Sequence, residues 1–94
     1  EVEDALKAHD GIFDALVVGV PDERWGSRVS AVIQARDGVA LDLKNVQEHC
    51  RQHVAGYKVP REVHLIAEIP RAPSGKPDYK TAKAFALSGE GQVS

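Results

Sequence analysis

The residues best suited to chemistry lie in Ile69-Pro70-Arg71-Ala72-Pro73-Ser74-Gly75-Lys76, which sets one lysine at the tip of a proline-stiffened loop. Gly75, just before it, lets the backbone come close to a ligand. A flexible four-carbon stem ending in a compact ammonium suits a group that reaches an anion, neutralises charge as it develops, and withdraws. The plain alternative is a solvated loop lysine, the commonest fate of that residue. A second candidate set is aromatic and cationic. Trp25, the only tryptophan, lies between Arg24 and Gly26, and Tyr57-Lys58 precedes Arg61 closely. Flat rings offer faces for stacking, and the cations offer charge to an anionic partner. Read plainly instead, Trp25 caps a sheet edge, Tyr57 closes a helix, and Lys58 and Arg61 solvate the surface.

Other chemistry is thinner. His49 and His53 stand four apart on a helical pattern, but no third ligand is visible at a sensible spacing, so no metal site is expected. Cys50 falls on the apolar stripe between them and reads as a buried small hydrophobe. His9 and His64 have no evident partner. Arg71, Lys76, Lys80 and Lys83 give the last segment a positive bias, yet no aromatics interleave with them, and no nucleic-acid partner is expected.

These side chains need elements to hold them. Val2, Ala5 and Leu6 share a helical face in a segment that opens without a capping residue and can end at Asp10-Gly11. Such a start reads as an element already under way in a longer protein. Ile12 to Val20 reads as a buried valine-rich strand, closed by Pro21-Asp22. From Arg28 to Ala35 a two-residue period sets Val29, Ala31, Ile33 and Ala35 against a wetter face of Ser30, Val32 and Gln34. Asp42 is the expected N-cap of a helix whose stripe, Leu43, Val46, Cys50 and Val54, runs toward Gly56, with Leu41 and Val46 stapling its start. Val63, Leu65 and Ile66 form a short third strand after Pro60. Ile69 to Pro77 must be an extended loop, and a last helix over Tyr79 to Leu87 buries Ala82, Phe85 and Ala86. Residues 88–94, with two glycines and no apolar period, are expected to be a flexible tail. The order predicts a small α+β domain over residues 1–87, with a sheet of about three strands and helices packed on it.

Bulk properties agree with one small folded unit. The 94 residues are 43% hydrophobic and 28% charged, ordinary for a globular chain. Twelve Lys+Arg against fourteen Asp+Glu give a formal charge of −2, so any anion site must be local. No apolar run is long enough for a transmembrane segment, and the single cysteine fits a reducing, cytoplasmic setting.

Together with Val18-Gly19-Val20-Pro21-Asp22-Glu23-Arg24-Trp25-Gly26 and Tyr57-Lys58-Val59-Pro60, the lysine loop resembles the C-terminal domain of the adenylate-forming superfamily, which includes acyl-CoA synthetases, luciferases and peptide-synthetase adenylation domains. The opening Glu1-Val2-Glu3 matches too. Pro77-Asp78-Tyr79 departs from the commonest pattern after the lysine, in a way that resembles fatty-acyl-CoA synthetases. The resemblance implies a lid that closes over a large N-terminal domain, absent from this chain, which would hold the ATP and carboxylate pockets and a magnesium ion. It implies that Lys76, preceded by Gly75, serves formation of an acyl-adenylate from a carboxylic acid, with a fatty acid the expected substrate, and ATP with release of pyrophosphate. It implies that Trp25, Gly26, Tyr57, Lys58 and Arg61 frame CoA, the second substrate, which leaves as acyl-CoA beside AMP. Val59 stands where some relatives carry another cation. Two alternatives remain: transfer of the acyl group to a carrier protein, and a stand-alone module without chemistry.

Overall fold

The computed structural model describes residues 1–24 and 26–94, so the Trp25 expectations lie outside the described residues. Helix α1 (Val2–Lys7) leads into two long antiparallel strands, β1 (Ile12–Asp22) and β2 (Gly26–Ala35), paired from Ile12↔Ala35 to Asp22↔Gly26. From Asp14↔Gln34 onward the pairing runs without a break to Asp22↔Gly26. Helix α2 (Leu43–Arg51) and a 3₁₀ turn (Gly56–Lys58) then cross over to β3 (Glu62–Leu65), which lies parallel to β2. A parallel neighbour requires such a crossover, and α2 supplies it. Helix α3 (Tyr79–Ser88) and a final strand β4 (Gln92–Val93) complete a four-stranded sheet in the order β1-β2-β3-β4.

Helices cover both faces. Leu6 of α1 and Val46 and Cys50 of α2 pack with Ile12, Ala15, Ala31, Ile33 and Val63 on one side of the sheet. Ala82 and Ala86 of α3, with Ile69, pack on Leu16, Val18, Val20 and Val32 on the other. The β2 face that reads as wetter is thus closed by α3, with Ser30 and Val32 both fully buried. Each large apolar side chain so enclosed contributes about 1.5–3 kcal/mol. Asp42 caps α2 as expected, accepting from Asn45 N at 2.7 Å, although the helix ends at Arg51, well short of Gly56.

One irregularity organises β1. Its register shifts between Ile12 and Asp14, so Phe13 is an extra residue opposite β2. A bulge inverts the alternation beyond it. Ile12 and Ala15 consequently share the α1/α2 core, while Asp14 turns to the α3 side with Leu16. Phe13 itself is thrown to the surface, 57% exposed, with the Arg36 guanidinium 5.6 Å from its ring centre.

The segment expected to be a flexible tail is instead part of the sheet. Val93 pairs with Val63 and packs against the α1/α2 core, Gly91 O accepts from Leu65 N at 2.8 Å, and Ser94 O accepts from Leu43 N at 3.3 Å. The two glycines that suggest disorder are turn residues: Gly89 ends α3 at φ 79° and Gly91 folds back at φ 68°. What recruits the segment is the unpaired edge of β3, whose backbone groups need partners. A Cβ on Gly91 would lie 2.1 Å from Leu65 O, whereas one on Gly19 would meet nothing within 4 Å. Urea unfolding should therefore find Gly91→Ala destabilised by about 1–3 kcal/mol and Gly19→Ala changed by less than about 0.5.

Candidate functional site

The lysine loop is a narrow hairpin rather than an open arc. Ala72 N donates to Lys76 O at 2.9 Å and Gly75 N to Ala72 O at 2.8 Å, Arg71 bridges Pro77, and Asp78 N donates to Pro70 O at 3.0 Å at the base. Gly75 takes φ 89°, a conformation other residues adopt only with strain. At the base Ile69 is buried beside α3, and its N–H donates to Gln34 Oε1 at 3.0 Å. Beyond it, every residue from Arg71 to Pro77 is exposed. Arg71 reaches back to Asp14 with contacts of 3.0 and 2.8 Å, and its Nη1 donates to Gly75 O at 2.9 Å. Lys76 has no side-chain partner among the described residues.

The exit from the loop is pinned as well. Asp78 caps α3 by accepting from Thr81 N at 3.0 Å and Thr81 Oγ1 at 2.7 Å, bonds that hold its carboxyl below the usual carboxylate range. The Asp78-x-x-Thr81 spacing could have disclosed that cap. The Tyr79 hydroxyl donates to both oxygens of Glu3, at 2.9 and 2.8 Å, and this hydrogen bond raises the pKa of the phenol. Glu3 in turn accepts from Val17 N at 2.9 Å, so α1, β1 and the start of α3 meet at one carboxylate.

The aromatic and cationic candidates divide. Tyr57, 76% exposed on the 3₁₀ turn, and Arg61 line an open concavity of about 340 Å³ with Asp22, Ser27, Arg28 and Val29. Gly26, at φ 80°, begins β2 beside Ser27. Lys58 faces elsewhere: its ammonium pairs with Glu1, a hydrogen bond that raises its pKa, in a second hollow with Glu3, Val17 and Tyr79. The Lys58 ammonium also lies 5.7 Å from the Tyr57 ring centre.

Sequence reasoning missed Arg28 and what stands behind it. Arg28 Nε donates to Glu62 Oε2 at 3.0 Å and Nη1 to Pro21 O at 2.8 Å. Ser30 Oγ donates to Glu62 Oε1 at 2.5 Å, His64 Nε2 lies 3.2 Å from the same oxygen, and His64 Nδ1 lies 3.0 Å from Glu90 O. His64 thus has partners on both sides, against expectation. The alternation of Glu62 and His64 with Val63 and Leu65, read against Ser30 on the facing strand, could have paired them.

The other histidines are occupied structurally. His9 bridges Asn45 Oδ1 at 2.8 Å and Gly11 N at 2.9 Å, so it too has partners, and His49 Nε2 reaches Ala5 O at 2.7 Å. His53 lies against His49 with ring centres 4.7 Å apart and planes tilted by 46°. Among the described residues no group of three or more metal-ligating side chains converges. Cys50 is buried and free, its thiol pushed up by burial. No helix among the described residues is long and apolar enough to cross a membrane.

Residues 1–76 match the family described as the AMP-binding enzyme C-terminal domain. The chain is 59% identical over 83 residues to a 3-oxocholest-4-en-26-oate–CoA ligase of Rhodococcus rhodochrous, covering 88% of this chain and 15% of that protein. It is 55% identical, with the same coverage of 88% and 15%, to a medium/long-chain-fatty-acid–CoA/3-oxocholest-4-en-26-oate–CoA ligase of Mycolicibacterium smegmatis. Among solved structures, amide bond synthetase McbA from Marinactinospora thermotolerans superposes with a TM-score of 0.84 at 36% identity, covering 89% of this chain and 17% of that one. The chain thus spans about 15% of the length of the curated relatives it matches.

Glu62 carries a consequence for pH. Burial works to raise its pKa, but hydrogen bonds from Ser30, His64 and Arg28, with the Arg28 charge, outweigh burial and hold the carboxyl below its ordinary value of 4.5. A carboxyl depressed by folding adds stability that is full above its unfolded pKa and is lost as pH falls through the folded one. Unfolding in urea at neutral pH should find Glu62→Gln weaker by about 1–3 kcal/mol. The gap should narrow below about pH 4; a gap that persists unchanged in acid would contradict this assignment.

Proposed function

Because the chain belongs to the AMP-binding enzyme C-terminal domain family, we propose that it is the lid of an ATP-dependent acyl-CoA synthetase. The reaction joins a carboxylic acid, ATP and CoA into acyl-CoA, AMP and pyrophosphate through an acyl-adenylate. The observation that carries this reading is the Lys76 ammonium, without a side-chain partner among the described residues, at the tip of an otherwise hydrogen-bonded hairpin. The CoA-ligase names of the two relatives support a thiol acceptor, and the M. smegmatis name supports a medium- or long-chain fatty acid. The lid reading covers residues 1–87, to which β4 adds the last pairing, and a cytoplasmic setting is part of it.

In the first half-reaction a carboxylate oxygen attacks the α-phosphorus of ATP and pyrophosphate leaves. Both reactants are anionic, so charge accumulates on the oxygens between them as the transition state forms. Lys76 donates hydrogen bonds into that charge when the lid is closed. Gly75 leaves the backbone room for close approach, since a Cβ there would meet nothing within 4 Å but would strain φ 89°. A magnesium ion bound by the N-terminal domain would neutralise the departing pyrophosphate.

In the second half-reaction the CoA thiol attacks the acyl carbon and AMP leaves. Tyr57 offers a stacking face and Arg61 a cation at the concavity beside Ser27. Lys58 joins them on giving up Glu1, so its contribution is conditional on the position of α1.

In the full-length enzyme Lys76→Ala should lower ATP–pyrophosphate exchange about 10²–10³-fold and spare thioester formation from supplied acyl-adenylate. Exchange at the wild-type rate would refute the lysine assignment. Tyr57→Ala, Trp25→Ala and Arg61→Ala should leave exchange intact and raise KM for CoA about five- to tenfold, the scale of one lost charged hydrogen bond or stacking contact. Should acyl-adenylate form while CoA is not consumed, the acceptor is another nucleophile, and the synthetase reading gives way to carrier loading or amide formation.

A further inference from the structure

We propose that Arg71 is the positioning residue for Lys76, clamping the hairpin tip to β1 through Asp14 and Gly75. The inference rests on the adenylation role given to Lys76 above. Between Arg71 and Pro77 all residues are exposed, so no apolar packing orients the tip. The backbone bonds of the loop, Ala72 N to Lys76 O, Gly75 N to Ala72 O and Asp78 N to Pro70 O, tie the hairpin to itself but not to the sheet. Left with these alone, the tip is a stiff flap that pivots about its base near Ile69 and Asp78.

Arg71 removes that freedom. Its Nε and Nη2 meet the Asp14 oxygens at 3.0 and 2.8 Å, and Nη2 also lies 3.0 Å from Asp14 Oδ1. From the same planar guanidinium Nη1 donates to Gly75 O at 2.9 Å, the carbonyl next to Lys76. One rigid fork therefore spans from the strand to the residue before the lysine, a geometry lysine cannot reproduce. The side chain of Asp14 is only 15% exposed, and its own Oδ1 accepts from Ala15 N at 2.9 Å, so the anchor is itself fixed. The bulge at Phe13 is what turns Asp14 toward the loop. A misplacement of about 1 Å in a reacting group can cost up to about 10²-fold in rate. Partly exposed ion pairs contribute little to stability, so the clamp acts on rate far more than on folding.

The test uses the full-length enzyme with octanoate or palmitate as the acid. Arg71→Ala should lower kcat of ATP–pyrophosphate exchange about tenfold, with KM for ATP within about twofold, and Asp14→Asn should reproduce a share of that loss. Thioester formation from supplied acyl-adenylate and the melting temperature should stay close to wild type. The discriminating variant is the double one: Arg71→Ala in a Lys76→Ala background should cause no further loss, because a residue that acts through the lysine has nothing left to position. Wild-type exchange in Arg71→Ala, multiplying losses in the double variant, or equal damage to both half-reactions would each overturn the proposal. If Lys76→Ala itself leaves exchange intact, the lysine assignment fails and takes this proposal with it; if Lys76→Ala is impaired and Arg71→Ala is not, only the clamp fails.

Discussion

A sheet buried on both sides leaves each strand residue a choice of two cores, and in β1 that choice is reset once, at Phe13. Without the extra residue, strict alternation from Ile12 would put Asp14 in the α1/α2 layer and Ala15 under α3. With it, Ile12, Ala15 and Val17 serve one core, Leu16, Val18 and Val20 the other, and the Asp14 carboxylate emerges beside the lysine hairpin. The packing of two helical layers and the anchoring of the loop thus depend on the same local kink. The cost is an aromatic ring on the surface, partly screened by Arg36.

Much of this was legible beforehand. Valine-rich and alternating segments located β1 and β2, and Asp42 ahead of the Leu43–Val46–Cys50 stripe located α2. The lysine loop followed from its prolines and glycine, and the motifs around it led to the family that residues 1–76 match. What stayed hidden depends on contacts between residues far apart in the chain. No local pattern reveals that Arg71 meets Asp14, or that His64 meets Glu90 O. The last residues were misread because glycine in sequence says only that many backbone conformations are open; whether it marks disorder or a tight turn depends on a strand edge waiting nearby. Lys58 and Arg61 are close in sequence, yet Lys58, at the end of the 3₁₀ turn, meets Glu1 while Arg61 lines the concavity beside β2.

The molecule therefore combines two mechanical regimes. Arg28, at the wall of the concavity, leads inward to the buried Ser30, Glu62 and His64, a polar network whose members all have partners, the condition under which such networks stiffen a fold. At the opposite extreme, Lys76 projects from a segment with no packed side chains. The lid proposed above would have to carry a chemical group rigidly enough to aim it and loosely enough to exchange it for another surface, and a packed sheet bearing a pinned hairpin is compatible with both needs.

The carboxylates on β1 have one more effect. In the sheet order β1 is an outer strand, and its far side presents backbone donors to any passing chain. Asp14 takes up the N–H of Ala15, Glu3 takes up that of Val17, and further along the same side, beyond Gly19, Pro21 has none to give. A foreign strand seeking to extend the sheet would meet negative charge, a bulge and a proline where it needs a row of open donors. Side chains recruited to hold the helix and hairpin in place thereby also guard the margin of the sheet against aggregation.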